Sequence, residues 1–237
     1  MSFKVLYNFL TKGSLLEEAF ELSGEVHDET HEMFRDSIQA LIEHNIKMKD
    51  KVIQKDKKVN TDFVNIRKKL FEYLAVAVAP NISACLILSN VAIDYERIGD
   101  YCKNIVQLIE YYPVEFRDGH YQDMIINMRD IIDEMFIITI EATRDENEEK
   151  ASDVLVKHAK IKEIHYEMVK LLNNDENIKV REAIVIAKMG AYLRRVSAHL
   201  GNISTGVIRP FPKMGFLKKT LARGRSGDSP ITRTKLE

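Results

Sequence analysis

Apolar side chains return every third or fourth residue along most of this chain, the spacing of helices that bury one face. The first such segment runs from Leu15 to about Lys47 through Leu16, Phe20, Val26, Met33, Phe34, Ile38 and Leu41. Ser14 stands where a hydroxyl can cap the first free amides, with Glu17 in the capping-box position. A second segment, from about Lys49 to Ala79, carries its stripe on Val52, Val59, Phe63, Ile66, Leu70 and Leu74. Pro80 closes it, since proline lacks an amide proton and restricts the residue before it. A third spans roughly Ile82 to Ile109.

YYPVEFRDG, with Pro113 and Gly119, reads as a central linker, after which the pattern resumes three more times. These segments run from about Tyr121 to Thr143, from Ser152 to Leu172 and from Ile178 to Val207, separated by the polar stretches TRDENEEKAS and LLNNDEN. Six tightly connected amphipathic helices must cover their stripes with one another, so the expected fold is all-α, two tandem three-helix bundles. Placing Asn104-Ile105 over Asn202-Ile203 aligns the third and sixth segments at an offset of 98, with Arg97 on Arg195, which suggests a duplicated unit. The expected division is residues 1–112, residues 113–210 and a tail, 211–237.

Composition adds little to the pattern. The 237 residues are 45% hydrophobic and 30% charged, with a formal net charge of -1, an ordinary folded protein. Cys85 and Cys102 are its only cysteines and form no CxxC pair, so a disulfide scaffold or zinc knuckle has little support and a reducing cytoplasm fits. The opening residues lack the apolar core and cleavage pattern of a secretory signal. The longest apolar runs, LAVAVAP and ACLILSNVAI, fall well short of the roughly 20 residues that cross a bilayer.

The chemistry gathers in NVAIDYERIGDYCKNI, residues 90–105. Glu96 and Asp100 are four apart, which sets two carboxylates on one helical face about one turn from each other, while Asp94 points elsewhere. Their repulsion is relieved by solvent, by neighbouring cations such as Arg97 and Lys103, by a shared proton or by a metal ion. Oxygen donors suit Mg²⁺, Mn²⁺ or iron and discriminate weakly among them. Gly99 costs about 1 kcal/mol in a helix relative to alanine, so a close helix crossing or open access to the acids is its expected compensation.

DYERIGDYCKNI resembles the glutamate-arginine-isoleucine-glycine-aspartate signature, followed by an asparagine-isoleucine pair, of PhoU-type phosphate-uptake regulatory proteins. The resemblance covers about residues 15–208. It implies two tandem three-helix bundles, acidic motifs that bind iron or zinc, and a negative regulator of high-affinity phosphate uptake. The partners it implies are a phosphate ABC transporter and a sensor histidine kinase. Glu96 and Asp100 match the motif acids, and Arg97, Ile98, Gly99, Asn104 and Ile105 match its scaffold. In the second half Arg194 and Ala198 stand at the acid positions, so metal is expected only, or predominantly, in the first half.

Asp36 in FRDSI and Asp130 in MRDII occupy similar contexts and are further candidate ligands; a solvated acid on an amphipathic helix is the other reading of each. His27 and His31, beside Asp28 and Glu32, form a small imidazole and carboxylate patch that transition metals can use or that is plain surface. His158 and His165 lie roughly on one face, and His199 follows the lost acid at Ala198. The absence of GxxxxGK[ST] and GxSxG motifs, and of any persuasive acid-base set, favours a binding or regulatory module over an enzyme.

From Phe211 to Glu237 the chain holds seven Lys or Arg against Asp228 and Glu237, for +5, which leaves -6 on the rest. Lys213, Lys218, Lys219, Arg223 and Arg225 are candidate contacts to a partner or an anionic membrane surface. The resulting expectation is a cytoplasmic metal-binding regulator, peripheral to the inner face of the membrane, with self-association open. The alternatives are an adaptor bundle without metal and a nucleic-acid-binding regulator, the latter disfavoured by the acidic bundle and the lack of a known reading module.

Overall fold

The structure, a computed structural model, describes residues 14–112 and 119–215. Among them are six α-helices and two single 3₁₀ turns, with no strand. The helices are α1 (Leu15–Ile42), α2 (Ile46–Val76), α3 (Ile82–Gln107), α4 (His120–Arg144), α5 (Glu148–Asn174) and α6 (Val180–Ile208); the 3₁₀ turns are Leu108–Glu110 and Phe211–Lys213. No described helix is long and apolar enough to cross a membrane.

Local chemistry sets the boundaries. Ser14 Oγ accepts the Glu17 amide at 3.2 Å, as its place before the apolar stripe predicts. Between α1 and α2, His44 takes a left-handed φ of 50°, and Asn45 Oδ1 then accepts the Met48 amide at 3.1 Å. The turn between α4 and α5 repeats this 102 residues later: Glu146 has φ 51°, and Asn147 Oδ1 accepts the Lys150 amide at 2.9 Å. Both turns close the same way, Asn45 N on Ala40 O and Asn147 N on Ala142 O. Removing either cap, Asn45→Ala or Asn147→Ala, is expected to cost about 1 kcal/mol in equilibrium unfolding, because one first-turn amide loses its acceptor.

Helices α1, α2 and α3 pack on one another, as do α4, α5 and α6; the two units meet chiefly through α3 on α6 and, less extensively, α1 on α4. One continuous apolar core runs through both units. Burial also repeats: Leu88, Val91, Tyr95, Ile98, Cys102 and Ile105 of α3 are matched, 98 residues on, by Ile186, Met189, Leu193, Val196, Leu200 and Ile203 of α6. The internal duplication is therefore structural, with an offset of 102 over the first two helices of each unit and 98 over the third.

Polar pairs seal the junction. Asp94, buried on α3, accepts a hydrogen bond from Asn202 Nδ2 at 3.1 Å and lies 2.7 Å from His199 Nδ1 on α6. On the α1 side, Arg35 and His31 both reach Asp133 of α4, with Arg35 Nη2 at 3.0 Å and His31 Nε2 at 2.7 Å. The His31 ring lies flat on Phe136, centroids 4.5 Å apart and planes within 8°.

Candidate acidic face on the first unit

Asp56 sits on the apolar stripe of α2, between Val52 and Val59, and is only 5% exposed. Its carboxylate meets α3 where that helix crosses closest. A Cβ on Gly99 would lie 3.3 Å from Val59 Cγ1 and 3.8 Å from Asp56 Oδ1, so the glycine serves the close approach. Glu96 and Asp100 flank this point on the same face, half-buried. Lys103 Nζ donates to Asp56 Oδ2 and to Asp100 Oδ1, each at 2.8 Å. Arg97 lies 3.5 Å from Glu96 and 3.3 Å from Asp100.

The electrostatics follow from crowding. Burial raises the Glu96 pKa, the negative charges of Asp100 and Asp56 raise it further, and Arg97 and Lys103 offset part of the rise. Burial opposes the charge on Lys103, yet its hydrogen bonds to Asp100 and Asp56 raise its pKa on balance. Asp56 Oδ1 is enclosed and accepts no hydrogen bond from the described residues. The donors are all hard oxygens, a chemistry that fits Mg²⁺, Mn²⁺ or iron. Among the described residues no group of three or more His, Cys, Asp or Glu is gathered tightly enough to hold a metal ion. The ammonium of Lys103 stands between two of the acids and supplies the cation there.

The structure therefore brings Glu96 and Asp100 together with Asp56, an acid that the motif does not include. Its signal lay in the apolar stripe: an aspartate four residues after Val52 and three before Val59 is at a core position. Asp36 and Asp130 are placed differently from expectation. Asp36 is 3.0 Å from Lys51, which also holds Glu32, in an α1 to α2 ion-pair ladder. Within that ladder Lys55 and Lys51 hold the Glu32 pKa down at about 2. Asp130 is exposed on the other unit and paired with Arg129 at 2.7 Å. Nor are the two aspartates equivalent. The shared turn pairs residues 102 apart, which sets Asp36 against Ile138 and Asp130 against Asp28.

The histidine patch on α1 is likewise drawn into packing. His27 is buried, with Nδ1 at 3.0 Å from Asp28 and Nε2 at 3.1 Å from the Phe136 carbonyl, while Glu32 turns to the lysines. Ile98 and Ile105 are core residues, and Asn104 lines a cleft with Tyr111, Lys188 and Tyr192. Lys213 is exposed at the last 3₁₀ turn. Lys218, Lys219, Arg223 and Arg225 fall outside the described residues, as does most of the expected linker.

A tandem repeat of three-helix units, one of which presents an acidic helical motif, defines an all-helical repeat protein. The profile of the PhoU domain matches residues 24–109 and again 125–207, one match on each unit. The chain belongs to the PhoU family. Its fold is similar to the crystal structure of PhoU from Pseudomonas aeruginosa, with a TM-score of 0.71 at 20% identity over 82% of this chain and 95% of that one. It is also similar to the phosphate transport system regulatory protein PhoU from Streptococcus pneumoniae, with a TM-score of 0.73 at 17% identity over 86% of this chain and 97% of that one. No curated protein matches the chain in sequence.

Proposed function

We propose that the chain is a non-catalytic regulator of phosphate uptake, acting on a phosphate ABC transporter, with a metal-responsive acidic face on its first unit. Family membership supports the regulatory role, and the Streptococcus pneumoniae neighbour is itself named a phosphate transport system regulatory protein. The observation that carries the metal reading is the meeting of Asp56, Glu96 and Asp100 at one helix crossing, with the Glu96 carboxyl raised by burial and by its acidic neighbours. Such a site gains from any added positive charge. A bound iron, zinc, manganese or magnesium ion would supply that charge, with Glu96 and Asp100 as the residues that would hold it and Asp56 beside them. Asp36 and Asp130 are weaker candidates for the same role, since Asp36 lies in the α1 to α2 ladder and Asp130 is exposed on the other unit, away from this crossing.

Lys103 favours a second reading, an adaptor bundle in which the ammonium takes the place of the metal. Metal analysis of untagged protein after mild purification separates the two. At least one Fe, Zn or Mn per chain is expected, falling to near zero in Glu96→Gln/Asp100→Asn, with higher occupancy in Lys103→Met. Unchanged metal in the double variant sinks the site; metal-free wild type and metal-free Lys103→Met leave the adaptor. Partner capture from phosphate-replete membranes near physiological ionic strength is expected to recover transporter components, with a sensor kinase and self-association scored in the same eluate. Recovery of nucleic acid alone would instead support the nucleic-acid-binding reading. Salt matters because exposed charges attract nonspecifically when screening is weak.

A further inference from the structure

The two registers of the duplication locate the place on the second unit that corresponds to the acidic face. An offset of 102 carries Asp56 to His158 and Asn60 to Lys162. An offset of 98 carries Glu96 to Arg194, Gly99 to Ser197, Asp100 to Ala198 and Lys103 to Gly201. Every acid of the first face is thus replaced by a base or a neutral residue, and the bridging lysine is lost as well. The crossing of α5 and α6 corresponds to that of α2 and α3 but carries the opposite charge at these positions.

Side-chain geometry joins His158 and Ser197 across this crossing. His158 is 8% exposed, and its Nδ1 lies 2.9 Å from Ser197 Oγ. Ser197 gives its one hydroxyl proton to the Arg194 carbonyl at 2.9 Å, so His158 Nδ1 is the donor to Oγ and Nε2 is the nitrogen left to gain a proton. Arg194 bears electrostatically on both His158 and His165, and Lys162 bears on His158. A close approach of α6 at Gly190, where a Cβ would lie 3.1 Å from His165 Cδ2, brings His165 to the same face.

On the first face Arg97 and Lys103 are both ion-paired. On the second, neither Arg194 nor Lys162 has a carboxylate partner among the described residues, and Arg194 Nε is enclosed with no hydrogen-bond acceptor among them. Enclosing a guanidinium nitrogen with no acceptor is costly unless something outside the chain satisfies it. A planar guanidinium with an ammonium on the same face suits a tetrahedral oxyanion, because the fork donates in parallel while the ammonium adds charge.

We infer that the face formed by His158, Lys162, Arg194 and Ser197 is an oxyanion site, taking inorganic phosphate or the phosphate group of a monoester. The site is independent of the metal reading of the first unit. The bound anion accepts from Arg194 and Lys162; His158 stays neutral near pH 7, because burial and these two cations lower its pKa to about 4. His165 adds a second imidazole at its edge.

Calorimetric titration of the full chain with inorganic phosphate, and separately with glycerol 3-phosphate, tests the assignment at pH 7.5. Saturable binding is expected, tighter for whichever source is the true ligand. Arg194→Gln and Lys162→Gln should each weaken it at least tenfold. Glu96→Gln/Asp100→Asn, and chelator-treated wild type, should bind as the untreated protein does. Lys162 is exposed, so its variant remains informative if Arg194→Gln is poorly folded by circular dichroism. Absence of saturable binding to either ligand overturns the proposal, as does equal binding by Lys162→Gln. Loss of binding in the Glu96/Asp100 variant or after chelation overturns it too, by moving the anion to a metal on the first face.

Discussion

Replacing Phe136 with alanine is expected to lower the unfolding free energy by about 3–5 kcal/mol, the usual range for a large aromatic removed from a closed core. Phe136 is fully buried on α4 yet faces α1, where it meets Phe34 at 5.4 Å, the edge of His27 at 5.8 Å and the stacked face of His31 at 4.5 Å. Its loss opens a cavity at the seam between the units, and His31 loses the ring that sets its plane. Near the melting temperature, roughly 2–4 °C is lost per kcal/mol in a chain of this size, so a drop on the order of 10 °C is expected. Urea unfolding followed by circular dichroism measures the free energy, and a thermal scan the shift in midpoint. A cost below about 1 kcal/mol would show that α1 and α4 are not packed through this ring. A double-mutant cycle with His31→Ala isolates the stack, for which a coupling of about 0.5–1.5 kcal/mol is expected.

The helices were readable from their apolar stripes, which name most of the core, and Ser14 caps α1 as expected; the ends were less so, since α1 stops at Ile42 rather than near Lys47 and α2 at Val76 rather than Ala79. The residues that make the faces were less readable, and the reason is register. Glu96 and Asp100 share a helix, so their spacing alone sets them together. Asp56 joins them only because α2 crosses α3 at Gly99, and no spacing within one helix encodes a crossing. Asp36 and Asp130 show the same limit. Both sit in an Arg-Asp context, but the chain duplicates about the His44-Asn45 and Glu146-Asn147 turns, and those turns fix a different alignment. The histidines make the point again. His31 and His199 look like free polar positions on their own helices, and each is claimed by an aspartate on another helix, Asp133 and Asp94 respectively.

That alignment is also what makes the second unit interpretable. Loss of Glu96 and Asp100 equivalents reads, from the motif alone, as decay of a site. With Asp56 and Asn60 added to the comparison, the change becomes a coordinated reversal of charge at one crossing, from carboxylates around an ammonium to cations around a buried imidazole. The two faces are of opposite sign, and the α3 to α6 seam joins the units that carry them.

The buried imidazole gives the second large effect, a loss of stability in acid that depends on His158. Burial lowers its pKa from the ordinary 6.5 to about 4, and the positive charges of Lys162 and Arg194 push in the same direction. Above pH 6.5 the folded and unfolded chains both hold the ring neutral, so His158 contributes no pH dependence there. Between 6.5 and about 4 the unfolded chain takes up a proton that the folded chain refuses, and stability falls as the pH falls. Below about 4 both states are protonated and the slope from this group ends. The full shift corresponds to about 3 kcal/mol at roughly 1.36 kcal/mol per unit. His31 is also lowered by burial and contributes loss of the same sign, so the quantity to compare is wild type against His158→Gln, in which the His31 contribution is common to both. Glutamine keeps a hydrogen-bonding group near Ser197 and cannot titrate. In phosphate-free buffer, urea unfolding at intervals from about pH 7.5 to 4.5 is expected to show the wild type losing about 2–3 kcal/mol relative to the variant. The difference should be flat above about pH 7 and steepest near pH 5 to 6. A difference that stays constant across the whole range would mean that His158 accepts a proton as readily in the folded chain as in the unfolded one, and that Arg194 and Lys162 do not face it.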